Sequence, residues 1–337
     1  MAILELEDLR VDYADGASRV RAVDRGTFGV PHGTVVGLVG ESGCGKTTLV
    51  RAITGVMARN ARVTHGRIRF EGSDLVALDW GARRALLWRE IAFIPQSAMN
   101  ALDPVYRVSR QIREVLVERG GYRPQSVAAR IDELCAMVGL DPRRQHDFPH
   151  QLSGGMRQRV GIALALALQP KLLIADEPVT ALDVVVQRQV LDTLRDLQRR
   201  FALSLILVTH DISVVAYVCD RVVVMYAGQV VEAGSAVDVL ERPFHPYTMG
   251  LTNAFPDLAG AVDQLVPIPG SPPDLAQPQR GCRFAPRCPF ALARCRLEDP
   301  PLTMVGDDHR ASCWRAGDAG ELRRNAREVL TWSPSSR

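Results

Sequence analysis

Lysine is nearly missing from this chain. It stands only at positions 46 and 171, although 41 residues are Lys or Arg. Arginine therefore does the ordinary surface work, and a compact ammonium is kept where a point charge serves better than a planar fork. Long apolar runs are missing too. None approaches the roughly 18 residues that a membrane span needs, so any membrane association has to come through a partner. The first residues, Met-Ala-Ile-Leu-Glu-Leu-Glu-Asp, lack the basic and apolar regions of a secretory signal. The chain is thus expected to be made and kept in the cytoplasm. A basic stripe is also absent: net charge is +3, and residues 271–337, with eleven arginines against eight carboxylates, carry the whole surplus. That balance argues against nucleic acid as a partner.

What is present begins at residues 40–48, Gly-Glu-Ser-Gly-Cys-Gly-Lys-Thr-Thr. Gly40 to Thr47 fits the phosphate-binding pattern G-x-x-x-x-G-K-[ST]. The run before it, Gly33 to Gly40, is apolar and β-branched and reads as a buried strand. The run from Lys46 to about Met57 places Leu49, Ala52, Ile53 and Val56 at helical spacing. Glycines let backbone N–H groups curl round phosphates, and the helix N-terminus adds partial positive charge. Lys46 can then reach the β- and γ-phosphates, while Thr47 offers its hydroxyl to Mg²⁺. The bland alternative, a glycine-rich turn with a chance lysine, fits this strand–loop–helix context poorly. With 337 residues and a 47% hydrophobic composition, there is room for one large domain plus an appendage, or two domains.

Taken in order, residues 3–13 alternate apolar and polar as a half-buried strand should, and Tyr13 closes it. A tyrosine there can stack on a purine face, though alone it reads as surface packing. Val63 to Phe70 with the turn Glu71-Gly72 suggests a hairpin, and Asp74–Trp88 an amphipathic helix. Ile91-Ala-Phe-Ile-Pro-Gln96 is a short strand ending on a glutamine that can bring its amide oxygen to a metal ion or a water at the γ-phosphate. Residues 97–149 read as mainly helical. Leu152-Ser-Gly-Gly-Met-Arg-Gln-Arg159 opens a helix to about Leu168, with Ser153 as N-cap and glycines baring the backbone N–H groups. This is an anion site without its own lysine, suited to a phosphate held by another chain.

Leu172-Leu-Ile-Ala-Asp176-Glu177 is an apolar strand ending in two carboxylates. Asp176 suits Mg²⁺, and Glu177 suits polarising an attacking water as general base, an effect typically worth about 10²–10⁴-fold. Ala181-Leu-Asp183 then turns into a helix. Ser204 to His210 is a further buried strand ending on a histidine, structural if alone but a γ-phosphate sensor beside Asp176-Glu177. Arg221–Met225 and Gly228–Glu232 form the last expected hairpin of the core. Of the seven cysteines, Cys282, Cys288, Cys295 and Cys313 cluster, and in a reducing compartment such a cluster is a metal-site candidate.

The phosphate loop, Gln96, Leu152-Ser-Gly-Gly-Met-Arg-Gln, Asp176-Glu177, Ala181-Leu-Asp183 and His210 come in the order of an ABC-type ATPase, which residues 3–250 resemble. The tail, with His245-Pro-Tyr-Thr248, Ile268-Pro-Gly-Ser-Pro-Pro-Asp274, Gly281 to Cys288, Cys295, Pro300-Pro301, His309 and Cys313-Trp314, is similar to the C-terminal extension of ATP-binding subunits from oligopeptide/dipeptide ABC importers. The resemblance implies an α/β fold: a P-loop ATPase core with a mixed, largely parallel sheet, an antiparallel β-subdomain and a helical subdomain at about 97–165. The core would span 1–255, a Pro-rich linker 256–280 and a Cys-rich extension 281–337. The polar, Arg-patched composition of residues 316–337 itself reads as partly disordered.

For the site, the resemblance implies ATP held by Tyr13, Gly40, Ser42, Gly43, Cys44, Gly45, Lys46, Thr47, Thr48, Gln96 and Asp176. Ser153, Gly154 and Gly155 would meet the nucleotide of an opposite subunit. Mg²⁺ would lie at Thr47, Gln96 and Asp176, and Glu177, His210 and Gln96 would carry catalysis. Some members of the family bind an iron–sulfur cluster, which carries over here as [4Fe–4S] on Cys282, Cys288, Cys295 and Cys313. Arg283, Arg287, Arg294 and Arg296 would partly offset its charge. Zinc and metal-free thiols stay open, although the spacing C-x5-C-x6-C-x17-C holds no zinc-ribbon knuckle. His309 is an alternative ligand or a surface histidine. The implied partners are a second, related ATPase subunit and two transmembrane permease subunits docking near 97–104, with a peptide-binding protein acting indirectly. The chain would sit peripherally on the cytoplasmic face of the inner membrane. Nickel or glycoside cargo, or a soluble non-transport ATPase, are the competing readings.

Overall fold

The computed structural model describes residues 2–16, 18–96, 98, 101–254, 267–277 and 279–332. They fall into two compact units, Met1–Ile3 with Val30–Val35 and Ala77–Val208, and Leu4–Gly29 with Val36–Val76 and Thr209–Arg337.

The second unit holds the phosphate loop. Its strand Val35–Val39 is buried along its whole length and runs parallel to Arg221–Tyr226, Val36 facing Arg221 and Val39 facing Val224. A strand covered on both faces reads as a continuous apolar run rather than an alternating one, which is why this segment is so plainly written. Gly37 answers to packing: a Cβ there would stand 2.9 Å from Cys219 Sγ and 3.2 Å from Val215, beneath the helix Ile212–Val218. Gln229–Ser235 pairs antiparallel with Arg221–Tyr226. Beyond it the order continues through His309–Ala311 to Thr303–Gly306, so the tail adds two strands past the expected last hairpin.

A separate antiparallel sheet joins Ser18–Pro31, Ala2–Asp15, Ala61–Phe70 and Ser73–Asp74 in that order. Its register slips between Glu7 and Arg10. There Asp8 has a left-handed φ of 44°, and Gly66 opposite has no room for a Cβ, which would meet Asp8 O at 2.4 Å. Such a bulge bends and twists its strand. The helix expected over 74–88 is shorter, Trp80–Leu86, because Asp74 folds back on Val76 N–H at 3.0 Å and the N-cap falls to Asp79.

In the first unit Ile91–Ile94, Leu172–Asp176 and Ser204–Thr209 run parallel, with Ile91 opposite Leu172 and Asp176 opposite Val208. The inserted helices are Val108–Glu114 and Pro124–Met137, followed by Gly154–Ala165 and Val184–Phe201. Asp183 caps the last of these, accepting from Val186 N–H at 3.0 Å. The phosphate-loop helix stops at Thr54, where Gly55 takes a left-handed φ of 75°.

The polar tail is not the loose end that its composition implies. The helix Ala319–Ala326 buries Leu322, and Trp332 lies buried with its Nε1 donating to Ala326 O at 2.8 Å. Both join a core with Val39, Tyr226, Tyr247 and Phe284. Residues 333–337, and 256–266 and 278 of the expected linker, lie outside the described residues.

His245, 1% exposed, caps the helix Pro246–Asn253 by accepting Tyr247 N–H on Nδ1 at 3.1 Å. Burial pushes its imidazole down to about 3, from an ordinary 6.5. The unfolded chain takes up this proton below pH 6.5 and the folded chain does not, so the contribution is level above 6.5 and is lost as pH falls toward 3. From this residue alone, stability should drop by about 2 kcal/mol between pH 7 and pH 5. Urea unfolding at the two pH values checks this: His245→Asn should show a shallower loss by that amount.

Candidate functional site

The loop Gly40–Thr47 leaves the buried strand and enters the helix Lys46–Thr54. Gly40, Gly43 and Gly45 have φ of 155°, 79° and 103°, which L side chains adopt only with strain. Space is equally restrictive: a Cβ on Gly40 would lie 2.1 Å from Met225 O, and one on Gly45 2.3 Å from Ala22 O. Gly228 N–H donates to Cys44 O at 2.8 Å and Asp24 N–H to Gly228 O at 2.8 Å, which fastens the loop to the neighbouring turn. Lys46, 7% exposed, donates to Gly40 O at 2.7 Å and Glu41 O at 3.0 Å. Its ammonium is thus centred over the loop's own carbonyls. Burial pushes the Cys44 thiol up against the opposing pull of Lys46, so this cysteine is a neutral filler under the loop. Tyr13 is half-buried with its hydroxyl 3.2 Å from Thr48 Oγ1, which ties the expected purine platform to the loop's own helix. His210 is exposed immediately before the Asp211-capped helix Ile212–Val218.

In the first unit, Asp176 ends its strand at 2% exposure and Glu177 follows, half-buried. Glu177 takes a left-handed φ of 50°, uncommon for a residue with a side chain and a mark of functional strain when the surroundings hold it. They do hold it. Its N–H donates to Val208 O at 2.8 Å, while its carboxylate accepts Gln96 Nε2 at 2.9 Å and Thr180 Oγ1 at 3.1 Å. Gln96 and Glu177, 81 positions apart, therefore meet side chain to side chain. Ser153 caps Gly154–Ala165 by accepting Met156 N–H at 3.3 Å. Gly155 also has a packing reason, since its Cβ would stand 2.4 Å from Val186 Cγ1.

Cys282, Cys288, Cys295 and Cys313 line one small apolar pocket with Phe284, Phe290 and Trp314. Burial first, and then their mutual repulsion as thiolates, pushes Cys288 up and raises Cys313 to about 12. Soft sulfur donors suit an iron–sulfur cluster, yet among the described residues no group of three or more His, Cys, Asp or Glu is placed to hold a metal ion. The expected [4Fe–4S] cluster is therefore not supported. The charge argument for it is weakened too, since three of the four arginines are committed to carboxylates. Arg283 pairs with Asp24 at 2.5 Å, Arg287 with Glu41 at 2.8 Å and Arg294 with Glu298 at 2.8 Å. His309 is neither ligand nor surface residue: it is buried, 2.7 Å from the buried carboxylate of Glu232. The ties from Arg283, Arg287 and Tyr247 to the loop side were missed from sequence. The only signal for the two arginines was their place among the cysteines of Gly281–Cys288.

The family described as ABC transporter matches residues 23–180, and that described as Oligopeptide/dipeptide transporter, C-terminal region matches 231–295. The dipeptide transport ATP-binding protein DppD of Escherichia coli (strain K12) is 43% identical over 323 residues, 95% of this chain and 99% of its own. The oligopeptide transport ATP-binding protein OppD of Haemophilus influenzae is 41% identical, covering 95% of this chain and 99% of its own. A dimeric post-hydrolysis structure of the ATP-binding cassette MJ0796, bound to ADP and Pi, superposes with a TM-score of 0.63 at 26% identity, over 69% of this chain and 98% of that one. CbiO1 from Clostridium perfringens, part of the transporter complex cbiONQ, gives 0.62 at 26% identity, over 71% and 91%. With relatives this similar over nearly the whole length, the chain belongs to the ABC transporter ATP-binding subunits of the dipeptide/oligopeptide family.

Proposed function

We propose that this chain hydrolyses ATP to power the import of dipeptides or oligopeptides through a membrane permease. The observation that carries the chemistry is the Gln96–Glu177 hydrogen bond beside the buried Asp176. Near-full-length similarity to DppD and OppD supports the cargo class over nickel, glycosides or a soluble role. The nucleotide-binding domain is taken as 1–255, with its helical part at about 97–165, followed by the linker 256–280 and the extension 281–337.

Gly40, Ser42, Gly43, Cys44, Gly45, Lys46, Thr47 and Thr48 hold the phosphates, and Tyr13 stacks on the base. Lys46 supplies charge where the γ-phosphoryl group loses its bond. Thr47, Asp176 and Gln96 are the residues that would hold Mg²⁺, which would supply positive charge to offset the charge developing on the phosphates. Glu177 takes a proton from the attacking water, and His210 senses the γ-phosphate. Ser153, Gly154 and Gly155 present a helix N-terminus to the nucleotide of a second ATPase subunit, so ATP closes the pair and hydrolysis releases it. That cycle drives two permease subunits, served by a peptide-binding protein. Of the docking segment expected at 97–104, Ser97, Met99 and Asn100 lie outside the described residues. No described helix is long and apolar enough to cross a membrane. The proposed place, peripheral on the cytoplasmic face, rests on similarity to the transport ATP-binding proteins.

Glu177→Gln should leave ATP affinity intact, lower turnover by about 10²–10⁴-fold and trap a closed dimer. Hydrolysis assays and gel filtration with ATP check it, and near wild-type turnover would show that another group is the base. No step here runs through a metal cluster. A [4Fe–4S] site on the four cysteines is the finer reading of the extension; it rests on family resemblance, and the four cysteines line one pocket without being placed to hold a metal ion. Anaerobic purification with iron, sulfide and zinc analysis tests it. About four irons per chain with absorbance near 400 nm would establish the cluster, and metal-free protein would leave four packed thiols.

A further inference from the structure

Building on the ATPase reading, we propose that Tyr247 and Arg287 are positioning residues for the phosphate loop, acting through Glu41. Glu41 is the second residue of the loop and is gripped at three places. Its N–H donates to the Tyr247 hydroxyl at 2.9 Å. Its carbonyl accepts Lys46 Nζ at 3.0 Å. Its carboxylate accepts Arg287 Nη1 at 2.8 Å. Two of the three grips come from the C-terminal part of the chain, more than 200 positions away.

Both partners are rigid. Tyr247 is fully buried, its ring 4.6 Å from Tyr226 and 5.4 Å from Phe284 between centroids, so its hydroxyl cannot follow a moving loop. Arg287, 5% exposed, spends its remaining donors on Pro269 O at 3.0 Å, Ile268 O at 3.3 Å and the Tyr226 hydroxyl at 3.2 Å. A guanidinium spread over four acceptors has one place to be. The loop needs such fixing. Gly40, Gly43 and Gly45 give it a backbone with many alternatives, and every one of them must be excluded before the N–H groups converge on a phosphate. Paying that entropy in advance strengthens binding of the nucleotide without touching the chemical step. Tyr247 and Arg287 therefore act on affinity.

The test measures equilibrium binding of a fluorescent ATP analogue to the full-length chain and steady-state hydrolysis by the chain assembled with its membrane partners. Tyr247→Phe and Arg287→Ala should each raise Kd and KM about tenfold, with kcat changed by less than about twofold. Arg287→Lys should recover only part, since one ammonium cannot serve four acceptors. The double variant should lose less than the product of the two, because both act through Glu41. If Arg287→Ala does not fold, Glu41→Gln, which keeps the backbone contacts and removes the charge, together with Tyr247→Phe carries the test. A lowered melting temperature with unchanged Kd and KM would overturn the proposal, and so would a fall in kcat at constant KM. Absence of hydrolysis in the wild type would overturn the ATPase reading, while the shift in Kd would still decide the roles of Tyr247 and Arg287.

Discussion

A loop that offers its backbone N–H groups to phosphate cannot use them to hold itself together. That constraint explains much of the second unit. The loop Gly40–Thr47 makes one turn contact of its own, Cys44 N–H to Glu41 O at 3.2 Å, and Lys46 covers two of its carbonyls. Other ties among the described residues come from outside. Gly228 N–H takes the Cys44 carbonyl, while the carbonyls of Met225 and Ala22 crowd Gly40 and Gly45 so closely that no Cβ fits. The glycines are thus needed twice, for conformation and for proximity. A shape built this way has few internal contacts to lose and depends on the rigidity of its surroundings.

Those surroundings are built largely by the tail. Tyr226, Tyr247 and Phe284 form a buried aromatic group, with Tyr226 and Phe284 edge to face at 5.2 Å, and Trp332 and Leu322 close the same core. Edge-to-face pairs add to the area they bury and fix ring orientation. Ordered rings in turn fix the Tyr247 hydroxyl and the floor under Arg287. The pocket of four cysteines shares Phe284 with this group, because Cys288 N–H and Arg287 N–H both donate to Phe284 O at 2.9 Å. One short turn therefore carries sulfur toward the pocket and guanidinium toward the loop.

Legibility followed sequence distance. The strand, glycine loop and helix are contiguous, so local pattern and motif were enough to place them, including Lys46 among almost no other lysines. Gln96 and Glu177 were placed through the order of family motifs. Nothing local announces that their side chains meet, and the left-handed φ that aims Glu177 has no signature in its residue type. Arg283 and Arg287 were misread because arginines among cysteines look like charge compensation, whereas their carboxylate partners lie 259 and 246 positions earlier. The tail was misread for a related reason. Its mean composition is polar, and the two apolar anchors that order it, Leu322 and Trp332, are too few to raise a periodic signal. Asp74 shows the opposite failure: a helical pattern lost its first turn because a carboxylate found its own backbone partner sooner.

The charges of the extension also bear on why arginine sits beside a phosphate site without acting on phosphate. An unpaired guanidinium near the loop would add a field that favours any anion, with or without a nucleoside attached. Here Arg287 is neutralised by Glu41 and Arg283 by Asp24, both largely out of water. Buried pairs of this kind give little net stability, since desolvation offsets most of the attraction, but breaking one leaves a costly lone charge. They resist displacement more than they add to total stability. In the proposed ATP site, the positive charge for the phosphates is then left to Lys46, whose ammonium lies on the carbonyls of Gly40 and Glu41. The arginines of the tail are committed to carboxylates, and in the proposed site the single lysine of the loop is the group left to supply the field.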